Sequence, residues 1–584
     1  MDREKLIDKA QAYIKEEQDE EFRSQVEEVL KEERWEELED RFYQDLSFGT
    51  GGIRGVIGGG TNRINPLVLQ KATQGLANYV LRQKIEEPIA VIAYDSRRYS
   101  PLFAESAATV LAGNGIKTFL FSSLRPTPEL SFAVRTLRAA TGIVITASHN
   151  PSEYNGYKVY WSDGAQIVPP HDRGIIQEVQ SLKEGPTRVP LKEAVKDGKI
   201  LYIDEKIDRP YIEMVKSHSI RRDILKELGG KAKVVFTPLH GTGKMLVETI
   251  LGEMGVRVDT VPEQAEPDGD FPTVEYPNPE EASAMAMALE RGRNTKADIV
   301  LGMDPDADRL GIAVPDKKGN WVLVTGNQLG ALLCDYILSS LKEKGGLPKR
   351  PVMVKTIVTT ELQRLIAESY GVEVQDVLTG FKYIGEKIRG FEKSDESYVF
   401  GGEESYGYLI GTEVRDKDAV SAAAMAVEMT LYQRERGMSV LEYLDELYKT
   451  HGYFEESLIS KYFKGIKGKE IMDSLMEGLR KSPPKAFAGK QVIQIKDYLT
   501  RRIFFTEEAK EEPIGLPSSN VLQFVLEDQS IVSARPSGTE PKIKFYISGR
   551  STPDIPLNEA KKRAHNTIGE ITGAIKELID GCDA

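Results

Sequence analysis

Between residues 1 and 45 the chain is dense in Glu, Lys, Gln and Arg, with apolar side chains at Leu6, Ala10, Tyr13 and Ile14 and again at Phe22, Val26 and Leu30. Steps of three and four put these on one helical face, so the spacing predicts an N-terminal helical pair packed on the domain that follows. So charged a stretch also reads as a partner-binding arm, but a solvated face carries charge without any partner.

Three later segments share one grammar: an apolar strand, a turn, a helix of small and apolar residues, then a glycine and a second strand. They are Ile89 to Tyr94 with Gly115 to Phe119, Lys233 to Thr237 with Gly255 to Val258, and Val352 to Thr356 with Gly371 to Val374, with helices centred near Phe103 to Leu111, Met245 to Met254 and Leu362 to Ser369. This order predicts βαβ units with right-handed crossovers, hence three copies of one mixed-sheet α/β domain, the glycine supplying a left-handed stop at each helix end. The tail departs from this pattern. A basic stretch opens at Lys461, Lys469 to Lys481 reads as helix, and Pro483-Pro484 marks a linker or element break. Val492 to Ile495, Asn520 to Leu526, Ser530 to Ala534 and Lys542 to Ser548 read as strands and Asn558 to Ile579 as a closing helix, which together predict a smaller C-terminal α+β domain.

Length agrees with that count, since 584 residues at ~150 per domain correspond to about four domains. With 40% hydrophobic and 29% charged residues the composition is that of a folded globular protein. The net charge of −13 repels polyanions, and no Lys/Arg run with interleaved aromatics offers a local groove, so nucleic acid is not expected as a partner. Two cysteines, Cys334 and Cys582, are too few for a disulfide framework. The polar start Met1-Asp2-Arg3-Glu4-Lys5 lacks a signal-peptide pattern, and no apolar run approaches the ~20 residues that span a bilayer, so a cytoplasmic location without membrane association is expected. The sequence does not decide between monomer and dimer.

Four clusters carry candidate chemistry. Thr146-Ala147-Ser148-His149-Asn150-Pro151 follows the predicted strand Gly142 to Ile145 and offers Ser148 as a nucleophile on a turn, or simply a capped turn. A hydrolase elbow needs glycine two residues either side of the serine, where Thr146 and Asn150 stand. Asp304-Pro305-Asp306-Ala307-Asp308-Arg309 places three carboxylates within five residues, which repel unless a cation lies among them; a solvated acidic turn is the alternative. A calcium loop would need Gly and Glu where Arg309 and Pro315 stand, whereas an octahedral Mg²⁺ with open positions for water or phosphate oxygen suits three aspartates. Gly401-Gly402-Glu403-Glu404-Ser405-Tyr406-Gly407 offers acceptors and a hydroxyl that suit vicinal sugar hydroxyls, and is otherwise a glycine-flanked turn. Arg535-Pro536-Ser537-Gly538-Thr539-Glu540-Pro541-Lys542 suits a phosphate, with Arg as a planar fork and Ser, Thr and loop amides as shorter donors, or is a surface turn between strands. Neither this loop nor Gly49-Thr50-Gly51-Gly52-Ile53-Arg54-Gly55 is a Walker A motif.

Taken together and in this order, one cluster per predicted domain, these four motifs resemble the α-D-phosphohexomutases, the phosphoglucomutase and phosphomannomutase superfamily, over roughly residues 45 to 550. The resemblance implies domains at 1–210, 211–325, 326–455 and 456–584, carrying a phosphoserine loop, a metal loop, a sugar loop and a phosphate loop. It implies that Ser148 is phosphorylated in the resting enzyme, that Asp304, Asp306 and Asp308 with a phosphoserine oxygen hold one Mg²⁺, and that Arg54 and Lys158 lie beside the phosphoserine. Arg309 stands next to the metal. Lys382 and Lys417 match lysines of glucose-type members, Glu403 and Ser405 hold sugar hydroxyls, and Arg535, Ser537, Gly538 and Thr539 hold the phosphate that does not react. His149 and Lys417 are candidate proton carriers, and a lysine acting as a base near neutrality needs a lowered pKa. The expected activity is interconversion of glucose 1-phosphate and glucose 6-phosphate with glucose 1,6-bisphosphate as primer. Glu404 stands where mannose-acting and glucosamine-acting members tend to have Met and Gln. A preference for mannose or pentose phosphates, a sugar-bisphosphate synthase and a non-catalytic sugar-phosphate-binding regulator are the alternatives.

Overall fold

In a computed structural model of the chain, each of the three repeating segments forms a parallel strand–helix–strand unit. Ile89–Tyr94 pairs with Lys117–Phe121 across the helix Ser100–Gly113, Val234–Thr237 with Val258–Thr260 across Gly243–Glu253, and Pro351–Thr356 with Glu373–Val377 across Glu361–Ser369. All three helices stop in the same way. Gly115, Gly255 and Gly371 take φ of 77°, 86° and 76°, and the next amide donates back to the carbonyl five residues earlier: Ile116 to Leu111 at 3.0 Å, Val256 to Leu251 at 2.8 Å and Val372 to Ala367 at 3.0 Å. That left-handed residue and its long return bond form a Schellman stop, which the repeated glycine encodes.

The structure describes residues 2–46, 52–463, 465–508, 510–537 and 542–583, without the side chains of 465–467 and 582–583. These residues divide into two compact units, Met1–Gly326 with Phe381–Arg436, and Asn327–Gly380 with Gly437–Ala584.

In the first unit, one mixed sheet runs in the order Gly52–Val56, Tyr154–Trp161, Thr141–Ile145, Ile89–Tyr94, Lys117–Phe121, Ile200–Ile203. Its inner strands are buried on both faces, which is why they read as continuous runs such as Ile143-Val144-Ile145 rather than alternating. A second mixed sheet runs Trp321–Val324, Leu310–Pro315, Ile299–Met303, Val234–Thr237, Val258–Thr260. Ser397–Glu403 and Gly407–Leu409 form a tight antiparallel hairpin, with Glu403 opposite Gly407.

The N-terminal helices number three among the described residues, where the sequence pattern predicted two: Arg3–Glu16, Glu20–Lys31 and Trp35–Phe42. Leu38 and Phe42 on the third helix join Leu6, Ala10, Tyr13, Val26 and Val29 in one small core with Leu67, while Phe22 enters the core of the first sheet. The third helix is short and largely charged, so its few apolar positions carry little periodic signal.

In the second unit, the third strand–helix–strand segment accompanies an antiparallel sheet in the order Tyr453–Tyr462, Lys542–Ser551, Ile531–Pro536, Leu522–Leu526, Lys490–Asp497, Arg502–Phe505, Lys510–Pro513. The helices Gly465–Lys481 and Leu557–Asp583 cover one face, packing Met472, Leu475 and Ile571 on Phe524, Val532 and Phe545. The basic stretch at Lys461 is the end of an edge strand, and Pro483-Pro484 falls between that first helix and the short strand Ala486–Phe487, an element break inside one core. Three mixed α/β regions and a C-terminal antiparallel-sheet region are therefore present. No helix of the described residues is long and apolar enough to cross a membrane.

Because a Cβ at Gly115 meets nothing within 4 Å, Gly115→Ala isolates backbone strain from steric contact. We expect a loss of about 1 kcal/mol, read as a lower denaturant midpoint; an unchanged midpoint would contradict the left-handed stop.

Candidate active site

The acidic loop begins where the fully buried strand Ile299–Met303 ends. Asp304 turns the loop on itself, its Oδ1 accepting from the amides of Asp308 (3.1 Å) and Arg309 (3.0 Å), and Ala307 takes φ of 50°. Neighbouring elements clamp the loop from outside. The Thr242 amide and hydroxyl donate to Pro305 O at 2.8 and 2.9 Å, the Thr127 amide to Asp306 O at 2.9 Å and the Ala419 amide to Ala307 O at 3.3 Å. Gly241 permits this approach, because a Cβ there would lie 2.3 Å from Pro305 Cα.

This packing holds oxygens of Asp304, Asp306 and Asp308 within 4.8 Å of one another in a buried position. Lys158 Nζ donates to Asp306 Oδ2 at 2.7 Å and lies 3.3 Å from Asp308 Oδ2, Thr127 Oγ1 donates to Asp306 Oδ2 at 2.8 Å, and Lys417 Nζ lies 3.1 Å from Asp308 Oδ2. Burial works to raise Asp306 and Asp308, yet Lys158 at both and Lys417 at Asp308 hold them below the usual carboxylate range. Asp304 goes the other way, pushed well above it by burial and by its two neighbours. Asp306 Oδ1 and Asp308 Oδ1 are buried and accept no hydrogen bond among the described residues. Hard carboxylate oxygens, two of them unmatched, beside a carboxyl that burial and two like charges raise against the pull of Arg309, fit a divalent cation such as Mg²⁺.

The serine loop leaves the adjoining sheet at the end of Thr141–Ile145. Ser148 is buried with φ of 54°, a conformation costing a non-glycine residue about 1–3 kcal/mol, and its amide donates to Thr146 Oγ1 at 2.8 Å. Its hydroxyl donates to Asp304 Oδ2 at 2.6 Å and lies 3.1 Å from His149 Nδ1. Burial first, then Arg309 and Arg54, push the His149 imidazole well below its ordinary pKa, so it is neutral. Arg54 Nη1 donates to Asn150 Oδ1 at 2.8 Å.

Sequence reasoning missed the residue that holds this loop. Arg97, fully buried, donates to the carbonyls of Ser148 (2.6 Å), Asn150 (2.5 Å), Pro151 (2.8 Å) and Tyr154 (2.9 Å), and pairs with Asp95 at 3.3 Å. A signal existed: Asp95-Ser96-Arg97 directly follows an apolar strand, where an arginine with no helix partner implies a buried acceptor.

At the end of Ser397–Glu403, burial drives Glu403 up to about 7 against the pull of Lys417. Lys417 also lies 3.0 Å from Asp416 Oδ1, and Asp416 Oδ2 accepts from Tyr160 OH at 2.6 Å. Gly407 is what lets Lys417 pass, since a Cβ there would lie 2.1 Å from Lys417 Cδ. Burial alone would lower Lys417, but Asp308, Asp416 and Glu403 raise it above its ordinary value. The lowering that a lysine base requires is absent; this lysine keeps its proton. Arg309 lies 3.9 Å from Asp308 and 4.0 Å from Glu280, and Ser405 is half-buried on the hairpin turn.

Ser148, His149, the three aspartates, Lys158, Arg309 and Lys417 thus converge, with Glu403 coupled through Lys417 and Arg54 through Asn150. For Lys382, burial acts first, and Asp172 and Glu386 are among the charges that act on it. In the second unit, Arg535 is half-buried opposite Lys544, and the Ser537 amide donates to Lys542 O at 2.7 Å. Gly538 and Thr539 lie outside the described residues, as do Gly49, Thr50 and Gly51.

Family models described as phosphoglucomutase/phosphomannomutase alpha/beta/alpha domains I, II and III match residues 45–185, 209–319 and 325–451. A phosphoglucomutase of Staphylococcus haemolyticus is 36% identical over 512 residues, 87% of this chain and 91% of that protein. One from Staphylococcus epidermidis is 37% identical over 516 residues, 88% and 92% of the two chains. The open form of parafusin, a phosphoglucomutase from Paramecium, superimposes with a TM-score of 0.69 at 18% identity, covering 93% of this chain and 95% of that one, which shows a shared fold.

The pKa of Glu403 sets a pH dependence. A carboxyl raised from 4.5 to about 7 on folding binds its proton more tightly when folded, so its contribution to stability falls as pH rises through that window. Lys417→Met removes the cation that opposes the rise, and an infrared titration of the buried carboxyl should show its midpoint move upward. An unmoved midpoint would contradict the coupling.

Proposed function

This chain belongs to the phosphoglucomutase/phosphomannomutase family, and on that premise we propose that it interconverts glucose 1-phosphate and glucose 6-phosphate through a phosphoserine at Ser148 and a glucose 1,6-bisphosphate intermediate. As a member it is an intramolecular phosphotransferase, an isomerase. The observation that carries the finer reading is the Ser148 hydroxyl, 2.6 Å from Asp304 Oδ2 and aimed into the buried carboxylate triad. Relatives named phosphoglucomutase at 36–37% identity favour glucose as the sugar.

In this reading, the bond from phosphorus to Ser148 Oγ breaks as one forms to the free hydroxyl oxygen of the hexose phosphate. The hydroxyl proton leaves to a base, and Ser148 regains one. After the bisphosphate turns over, its other phosphoryl group returns to Ser148 Oγ by the same exchange in reverse. Asp304, Asp306 and Asp308, with an oxygen on Ser148, would hold Mg²⁺, which when bound neutralises charge on the moving phosphoryl group.

The chain's own groups supply the positioning. Arg97 and Thr146 fix the backbone that presents Ser148. His149, neutral and 3.1 Å from the serine oxygen, can take its proton when the serine is rephosphorylated. Lys417 holds its proton and serves as a donor to a leaving oxygen, while Lys158, Arg309 and Arg54 add positive charge around the transferring group. Glu403 and Ser405 would accept and donate to sugar hydroxyls, and Arg535, Ser537, Gly538 and Thr539 would hold the phosphate that does not react. Binding energy from that remote phosphate can be used for orientation.

A coupled assay with Mg²⁺ and a trace of glucose 1,6-bisphosphate tests this. Glucose 1-phosphate should turn over faster than mannose 1-phosphate or ribose 1-phosphate, and Ser148→Ala should lower that rate by about 10⁴-fold or more while substrate binding persists. Full activity in Ser148→Ala would remove the phosphoserine, and preference for another ester would reassign the sugar.

A further inference from the structure

The strand Gly52–Val56 carries Arg54 and lies at the edge of its sheet, with Tyr154–Trp161 as its one strand neighbour among the described residues. The register places Arg54 opposite Gly156, and the guanidinium reaches Asn150, two residues beyond Ser148. An edge strand pinned on one side is a poor support for a cation that must sit accurately. At its far end the Ile57 amide donates to Glu153 O at 2.8 Å and Asn65 Nδ2 to the carbonyls of Gly58 (2.9 Å) and Gly60 (2.8 Å), and the N-terminal helical bundle adds a further restraint.

Immediately after the strand, the chain folds back as Gly58-Gly59-Gly60 and is tied to it by Gly58 N to Ile64 O at 3.1 Å and Ile64 N to Val56 O at 2.8 Å. The helices Glu20–Lys31 and Trp35–Phe42 grip this glycine turn through its backbone. Gln25 Oε1 accepts from the Gly59 amide at 2.9 Å, Arg41 Nη1 donates to Gly59 O at 2.7 Å, and Arg41 O accepts from the Asn62 amide at 2.9 Å. The fit leaves no space for a side chain. A Cβ at Gly59 would lie 2.3 Å from Phe22 O, and one at Gly60, where φ is 125°, would lie 2.7 Å from Arg41 O. Both polar atoms of Gly59 are thus used by helix side chains and its open face is closed by a helix carbonyl, which is more than packing an apolar stripe requires.

We propose that the N-terminal helices are a positioning element for the reaction: they clamp the Gly58–Gly60 turn and thereby fix the Arg54 strand against the serine loop, with Gln25 and Arg41 as positioning residues. This rests on the reading of Arg54 as a charge partner of the transferring phosphoryl group. It gives the helices a role in turnover that operates through one side chain.

The test combines hydrogen exchange with a double-mutant cycle on the full-length enzyme. Gln25→Leu removes the acceptor for the Gly59 amide; amides 53–57 should exchange faster by about tenfold, and kcat should fall by about tenfold with little change in KM. In the Arg54→Ala background, Gln25→Leu should cause no further fall in kcat, because the clamp then has nothing to position. Exchange at 53–57 equal to wild type, or kcat losses that multiply in the double mutant, would overturn the proposal. Full activity of Arg54→Ala alone would instead remove the role given to Arg54, while the exchange measurement still reports on the clamp. Gly59→Ala, which forces a methyl against Phe22 O, is the stronger variant, and if it fails to fold the Gln25→Leu arms decide.

Discussion

Three carboxylates confined within 4.8 Å at the end of one buried strand are the constraint on which the rest of this site depends. Like charges so close in a low-dielectric setting cannot all stay ionised without compensation. The fold answers with cations from separate elements: Lys158 from the antiparallel strand of the first sheet and Lys417 from the segment after the hairpin. Asp304, which no lysine reaches among the described contacts, is instead the one pushed toward its protonated form, and it is Asp304 that receives the serine hydroxyl. The nucleophile is therefore aimed at the part of the triad where positive charge is most lacking.

Holding these groups together requires backbone that L-residues rarely adopt. Ser148, Ala307 and Tyr406 each take φ between 50° and 65°, one in each of the three loops that meet here. A left-handed residue persists only where its surroundings over-determine it. Four carbonyl bonds from Arg97 do this for the serine loop, and the clamps from Thr127, Thr242 and Ala419 do it for the acidic loop. Glycines are placed where two backbones or a long side chain must cross, at Gly241 against Pro305 and at Gly407 beneath Lys417.

Much of this was legible in the sequence, for identifiable reasons. The three strand–helix–strand units showed because inner parallel strands leave continuous Val/Ile runs and because the glycine stop recurs at Gly115, Gly255 and Gly371. The triad showed because its members are adjacent in the chain. Strands at and next to the sheet edges were hard to see: Tyr453–Tyr462 mixes Glu455, Glu456, Ser457, Ser460 and Lys461, and Arg502–Phe505 and Lys510–Pro513 are short and partly exposed. Arg97 and Asp416 were not found, because their roles arise from contacts more than 50 residues away, Ser148 for one and Tyr160 for the other. Motif reading also could not say that Lys417 would be surrounded by carboxylates and keep its proton.

The triad has the donors of a cation site, and Ser148 projects into it. Diffraction from crystals soaked in Mn²⁺, read at the manganese edge, tests it most directly. One anomalous peak is expected within coordination distance of Asp304, Asp306 and Asp308, with the Ser148 side chain directed at it. A triad that stays free of metal at saturating Mn²⁺, with Asp306 and Asp308 still held by Lys158, Lys417 and Thr127 and Asp304 by the Ser148 hydroxyl, would contradict it.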